Sequence, residues 1–136
     1  GYLEALRENR IPIDRNLVVC DKIDFDVARN ATLRLLEGEN PPDAILAFND
    51  IITYAAFDAI KSKGLRIPED VAIIGFTDGD TAAFVTPRLT AIMDQAHVQG
   101  TKACQLLMKS INGDEKIYKE VVPMILKIRE SSEKIQ

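Results

Sequence analysis

The sequence contains two cysteines, one histidine and no tryptophan. Cys20 and Cys104 lie far apart, without the CxxC or Cys/His spacing of a zinc site or a disulfide framework. We therefore predict two free, buried thiols, which would suit the reducing cytoplasm. His97 has no second histidine with which to build a metal site or a catalytic triad, and we expect it on a helix surface. We predict no metal and no cofactor.

Basic residues are also fewer than acidic residues. The chain has 17 Lys and Arg against 21 Asp and Glu, a net charge of −4 and a pI near 5.0, so it lacks the electrostatic footprint of a nucleic-acid-binding surface. No apolar run approaches the roughly 18 residues that a membrane span requires. The 136 residues, 46% hydrophobic and 28% charged, are typical of one globular domain and exclude wholesale disorder.

Short, unbroken apolar runs alternate with segments of helical periodicity. We predict strands at residues 17–19, 44–48, 71–76, 89–93 and 121–129, and helices at 1–7, 26–37, 49–63 and 95–111. Strands that are apolar throughout, rather than alternating, are typical of a parallel sheet covered on both faces. The predicted fold class is therefore α/β, an open parallel sheet with helices on both faces.

Polar residues follow the predicted strands, where open parallel sheets bind their ligands. These strand ends are Cys20-Asp21 with Phe25 just beyond, Asn49-Asp50, Thr77-Asp78 and Asp94-Gln95. Amides, hydroxyls and carboxylates, beside an aromatic face from Phe25 or Phe76, suit a polyhydroxylated ligand. Asp50 is also expected to cap a helix, and Asp78 to occupy an Asp-Gly turn. Asn49 precedes an aspartate that is itself able to cap, so a ligand role for Asn49 stays open.

A second motif points to different chemistry. The run Asp24-Phe25-Asp26-Val27 has the two spaced aspartates of the DxDx[TV] pattern of magnesium-dependent phosphotransferases that use an aspartate nucleophile. In those enzymes the first aspartate directly follows a strand, whereas Asp21-Lys22-Ile23 intervenes here. The remaining lysine and paired carboxylates of that chemistry are not evident, so a solvated loop is the favoured interpretation.

The helix predicted at 49–63 has more apolar surface than one face can bury. Ile51, Tyr54 and Phe57 point away from its core stripe, with Asp58 among them. Surplus apolar surface of this kind often marks a contact with a partner protein. We predict a homodimer contact on this side of the helix.

Three longer segments together resemble one known family. They are the runs from Pro42 to Asp50 (PDAILAFND), from Gly64 to Asp78 (GLRIPEDVAIIGFTD) and from Thr86 to Ile92 (TPRLTAI). In this order and spacing they are similar to the lac-repressor (LacI/GalR) family of bacterial transcription regulators. Residues 1–6 and 128–132 fit the same pattern, so the resemblance spans nearly the whole chain.

The resemblance implies a two-lobed effector domain of the type I periplasmic-binding-protein kind, preceded in the family by a helix-turn-helix headpiece. Residues 1–93 and 124–136 would form the C-terminal lobe, and residues 94–123 would belong to the N-terminal lobe. The headpiece is expected to be absent from this chain. The helix at 95–111 should then lack part of its cover here.

The resemblance also implies site residues. Asn49 matches a position that hydrogen-bonds ligand hydroxyls, and Thr77 stands where most members have an aspartate that binds sugar hydroxyls, beside Asp78. Asp94 stands where glutamine is common, and Phe25 falls where an aromatic residue often lines the pocket. The family's dimer contact would use the helix around Tyr54 and the segment at 82–85, which includes Phe84 and Val85.

The implied function is regulation rather than catalysis. A small carbohydrate-like effector would bind between the lobes of a cytoplasmic homodimer and control operator binding by the absent headpiece, with no DNA or membrane contact through this chain. No catalytic residue is expected. The alternative is a periplasmic sugar-binding protein that delivers its ligand to a transporter.

Overall fold

The computed structural model describes residues 1–77 and 80–133. Its helices are α1 (Tyr2–Glu8), α2 (Phe25–Leu36), α3 (Asp50–Ser62) and α4 (Ala96–Ile111), and its strands are β1 (Ala44–Ala47), β2 (Ala72–Phe76), β3 (Thr90–Met93) and β4 (Ile125–Lys127). Short 3-10 helices occupy Arg15–Leu17 and Asp80–Ala83. The α/β class is confirmed. None of the described helices is long and apolar enough to cross a membrane.

The four strands form one mixed sheet in the order β1-β2-β3-β4. Strands β1, β2 and β3 are parallel, as predicted, but β4 runs antiparallel to β3. The apolar run at 121–129 forms only a short strand, because Pro123 has no backbone N–H to donate to a ladder. The predicted parallel sheet is therefore wrong for β4, because the direction of this strand depends on how the chain returns from α4.

The strand predicted at residues 17–19 is not formed. Leu17 ends a 3-10 helix that begins after Asp14, whose Oδ1 accepts a hydrogen bond of 2.8 Å from the backbone N–H of Asn16. Val18 and Val19 follow in irregular backbone and are 39% and 46% exposed. Their apolar run resembles a strand, but without a neighbouring strand to pair with it does not become one.

Helix α3 covers one face of the sheet at β1 and β2, and α2 packs on α3. Gly75 on β2 makes the approach of α3 close, since a Cβ atom at that position would overlap the side chain of Thr53. Thr53 is fully buried, and its hydroxyl donates to the carbonyl of Asn49 at 2.6 Å. The core beneath α3 consists of Ala56, Phe57, Ile60, Ile67, Val71, Ile73, Ala82, Leu89 and Ala91.

The opposite face of the sheet is more open. Leu46 is 49% exposed, and Ile74 and Phe76 are half-buried. Helices on both faces were expected, and the described residues bring α3 and α2 to one face. The strands are apolar on both sides, so the sequence pattern correctly indicates two apolar faces, while α3 packs on one of them in the described part of the chain.

Both cysteines are free, and both are exposed, which corrects the prediction of buried thiols. Cys20 directly follows the segment 17–19 that was expected to be a strand, and Cys104 lies on α4, which has no buried residue. His97 is also exposed on α4, so its predicted position on a helix surface is confirmed.

A buried serine, Ser131, attaches the C-terminal segment to β2 and β3 by hydrogen bonds. The Ser131 hydroxyl donates to the carbonyl of Ile73 at 2.6 Å and accepts from the backbone N–H of Thr90 at 2.8 Å. The carbonyl of Ser131 accepts from the N–H of Ile73 at 2.9 Å. Ser131 is therefore hydrogen-bonded to both strands at the level where their own pairing begins, at Ile74 and Thr90.

Residues on either side of Ser131 add to this attachment. The Thr90 hydroxyl accepts from the N–H of Arg129 at 2.8 Å and lies 2.7 Å from the hydroxyl of Ser132. The backbone N–H of Arg88 and its guanidinium both donate to the Glu130 carboxylate. These bonds lower the pKa of Glu130, the backbone hydrogen bond contributing most.

The outgoing and returning segments around α4 lie side by side. Met93 pairs with Ile125 across the antiparallel ladder, and the Gln95 side-chain amide donates to the carbonyl of Pro123 at 2.7 Å. Beyond this point α4 contacts the segment that follows it, through Lys109 over the ring of Tyr118 at 4.7 Å. The segment from residue 94 to residue 124 therefore begins and ends at neighbouring positions, at the adjacent ends of β3 and β4.

Replacing Ser131 with alanine should destabilise the fold by about 1–3 kcal/mol, because the Thr90 N–H would be left buried without its partner and the Ile73 carbonyl would lose a hydrogen bond. Ser132→Ala is the matched control, since it removes a neighbouring hydroxyl that bonds one side chain rather than two strands. Urea unfolding measures both. Equal midpoints for the two variants would contradict the role assigned to Ser131.

Candidate functional site

The carboxyl ends of the three parallel strands meet at one edge of the sheet. The register pairs Ala47 with Gly75, and Asn49 and Thr77 each lie two residues beyond this pair, past the carboxyl ends of β1 and β2. Asp94 directly follows β3, the next strand along the sheet. An amide, a hydroxyl and a carboxylate therefore follow one another across this edge, in the order in which the strands are hydrogen-bonded.

Asn49 is the N-cap of α3. Its side-chain oxygen accepts a hydrogen bond of 2.9 Å from the backbone N–H of Ile52. Asp50 was expected to be the cap, and the structure instead places it as the first helical residue, where its charge favours the positive end of the helix dipole. The cap uses only the oxygen of Asn49, and within the described residues its Nδ2 donates no hydrogen bond.

Thr77 and Asp94 differ in accessibility. Thr77 is 5% exposed, and its backbone N–H donates to the carbonyl of Ile92 at 3.2 Å, which continues the β2–β3 ladder one step beyond β2. Asp94 is exposed to solvent. Among the described residues that directly follow β2 and β3, the carboxylate is therefore the one after β3. Asp78, the fourth polar residue predicted at the strand ends, lies outside the described residues.

Phe25 begins α2 and is 43% exposed. The helix is capped by the preceding residue, Asp24, whose Oδ1 accepts from the N–H of Val27 at 3.0 Å. Asp24 is therefore a helix cap rather than a residue at a strand end, which removes the geometric basis of the phosphotransferase interpretation. Asn49, Thr77 and Asp94 share the sheet edge, whereas Phe25 belongs to a separate helix start.

A fourth residue at this edge, Phe48, was not singled out as a site residue from the sequence. Its ring is 71% exposed and lies 6.3 Å from the ring of Phe76, with an interplanar angle of 45°. In the sequence Phe48 reads as the last residue of an apolar strand, which hides its exposure. The sequence feature that could have identified Phe48 is its position immediately before Asn49. In the structure Phe48 lies one residue beyond the end of β1.

The residues predicted at a dimer contact fall into different environments. Ile51 is 46% exposed, as expected, but Phe57 is 6% exposed and belongs to the core. The expectation that Phe57 points away from the core is therefore wrong, because the segment that contains Ala82 and Leu89 joins the same core. Asp58 pairs with Arg29 of α2 at 2.6 Å, which accounts for its position on α3 without a partner chain.

Tyr54 lies at the edge of the core and is half-buried. Its hydroxyl oxygen is buried and has no hydrogen-bond partner within the part of the chain that the structure describes. Farther along, Phe84 is 81% exposed, whereas Val85 packs against the core. Ile51 and Phe84 are thus the apolar side chains of the predicted contact that are available at the surface.

A family model described as a periplasmic binding protein-like domain matches residues 1–132. The HTH-type transcriptional repressor PurR of Vibrio atlanticus (strain LGP32) is 32% identical over 132 residues, 97% of this chain and 39% of that protein. The probable HTH-type transcriptional repressor ExuR of Bacillus subtilis (strain 168) is 36% identical over 115 residues, 85% and 34% of the respective chains. The chain spans well under half the length of these relatives.

Solved structures give a matching fold. A regulatory protein of the LacI family from Chloroflexus aggregans is 33% identical, with a TM-score of 0.89 over 98% of this chain and 48% of that one. A complex of the transcriptional regulator CelR with cellobiose is 30% identical, with a TM-score of 0.88 over 97% of this chain and 41% of that one.

Proposed function

The chain belongs to the family of periplasmic-binding-protein-like domains, and we propose that it is the effector-binding and dimerisation part of a LacI-type transcriptional regulator. The observation that carries the proposal is the alignment of Asn49, Thr77 and Asp94 along one sheet edge. Two solved structures support a small carbohydrate-like effector: the CelR complex with cellobiose, and a LacI family transcriptional regulator from Enterococcus faecium with bound ribose. Phe25 and Asp78 complete the proposed ligand contacts.

We propose that residues 1–93 and 124–136 form one lobe and that residues 94–123 belong to a second. Support comes from α4, in which no residue is buried although it has apolar side chains. Leu107 and Ile111 of α4 are 60% and 66% exposed. A helix with this much apolar exposure needs further protein surface to cover it.

The proposed mechanism is a shift between two lobe arrangements. An effector that bridges the strand-end residues and the second lobe binds the closed arrangement more tightly, and that difference in affinity sets the balance between the two. In the dimer this balance changes how a headpiece outside this chain meets operator DNA in the cytoplasm. The mechanism makes and breaks no covalent bond, so the chain needs no catalytic residue.

The proposed homodimer contact includes the exposed side chains of Ile51 and Phe84, with Tyr54, Asp58 and Val85 as neighbouring residues. Burying an exposed phenyl group against a partner favours association through the hydrophobic effect.

Replacing Phe84 with glutamate should shift the dimer toward monomer, because a charge would be buried at the contact. Sedimentation equilibrium measures the mass. The matched control is Ile117→Glu, which places the same charge at a residue that is 100% exposed and outside the proposed contact. A Phe84→Glu protein that associates as tightly as the control would contradict the contact.

A substitution can remove the two amide N–H donors of Asn49 and still keep the side-chain oxygen that caps α3. Asn49→Asp keeps an oxygen for the Ile52 N–H but loses both amide donors, so effector binding by the full-length regulator should weaken by about 1–3 kcal/mol. Asn49→Ala loses cap and donors together, and should also lower stability by about 1 kcal/mol. Titration calorimetry with ribose and cellobiose gives the affinities, and thermal unfolding gives the stabilities. Unchanged affinity for a bound sugar in Asn49→Asp would remove Asn49 from the site.

The class of protein is tested by the coding DNA upstream of Gly1. A helix-turn-helix followed by another α/β lobe is the expected result. A secretory signal with no headpiece would instead assign the chain to a periplasmic sugar-binding protein of a transporter, which shares the lobes but not the DNA-dependent role.

A further inference from the structure

Phe48 is an exposed aromatic residue on a rigid support. It directly follows β1, and its ring is 71% exposed, although the residue before it, Ala47, is 2% exposed. An exposed phenyl ring is unfavourable in water unless some other surface covers it. Its ring contact with Phe76, which is itself half-buried, holds Phe48 from one side and leaves the rest of the ring accessible.

The two rings lie on the face of the sheet away from α3. Gly75 points toward α3, where a Cβ atom would meet Thr53, and successive residues of a strand point to opposite faces, so Phe76 points away from that helix. Leu46, 49% exposed, lies on the same face as Phe76 because its partner Ile74 is two residues from Phe76. The phenyl pair therefore extends an apolar surface as far as the sheet edge.

At that edge the aromatic surface meets the hydrogen-bonding groups. Phe48 is adjacent in sequence to Asn49, and Phe76 is adjacent to Thr77. Ligand sites for small molecules combine flat apolar walls with a few polar groups that fix orientation. A ligand whose hydroxyls reach Asn49 and Asp94 is thus brought to an edge that also presents the open ring of Phe48.

We propose that Phe48 is a specificity-determining residue that contacts the effector, selecting ligands with a closed ring over open-chain polyols. A sugar ring presents C–H groups that pack flat on a phenyl group, whereas an open chain with similar hydroxyls keeps rotational freedom and offers no fixed apolar face. The inference rests on the proposed function, since it assigns a further contact to the same effector site.

The test uses the isotope-labelled full-length regulator and two pairs of probes, ribose with ribitol and glucose with sorbitol. Chemical-shift titration gives each affinity, and saturation transfer from the Phe48 ring reports whether sugar C–H protons lie on it. For a sugar that binds, Phe48→Ala should weaken binding by about 3- to 10-fold and leave the affinity for its alditol nearly unchanged. Ile117→Ala, which removes an exposed apolar side chain elsewhere, should change neither.

Phe48→Leu separates ring stacking from apolar bulk, and it should weaken sugar binding as Phe48→Ala does. Full affinity in Phe48→Leu, or equal losses for sugar and alditol in Phe48→Ala, would overturn the inference while leaving the effector site intact. If none of the sugars shifts the resonances of Asn49, Thr77 or Asp94, the carbohydrate effector itself is refuted and Phe48 loses its role with it.

Discussion

The hydrogen bonds of one buried serine hold the sheet in the form that the candidate site requires. Ser131 forms hydrogen bonds with Ile73 of β2 and with Thr90 of β3. A residue outside both strands therefore helps to fix their register, that is, how far one strand is shifted along the other. The positions of Thr77 and Asp94, which follow these strands, depend on that register. A segment far along the chain thereby determines the alignment of the polar groups at the sheet edge.

The helical half of the fold was largely accessible from the sequence, because periodicity and caps are local. Helices α2, α3 and α4 lie within one residue of their expected bounds at each end, and the three parallel strands coincide with the unbroken apolar runs. The failures are non-local. Val18 and Val19 have the composition of a strand but no neighbour to pair with, and the direction of β4 depends on where the chain returns.

In the candidate site, too, the local features could be predicted from the sequence and the non-local ones could not. That Asn49, Thr77 and Asp94 follow strands can be deduced from the sequence, and parallel strands bring their ends together. Whether an apolar side chain is buried cannot be deduced in the same way. Phe57 and Phe48 both lie in apolar runs, yet one is 6% and the other 71% exposed. The difference depends on what packs from other segments, which periodicity within one element does not encode.

The antiparallel pairing of β3 with β4 has a consequence for protein engineering. Met93 and Ile125 face each other across the ladder, so the two ends of the long excursion through α4 are already as near as the ends of a hairpin. A tight turn such as Asn-Gly could join them directly. The shortened polypeptide would keep Ser131, Asn49 and Thr77 while discarding Asp94 and the apolar surface of α4, yielding a minimal module onto which a different second half could be grafted.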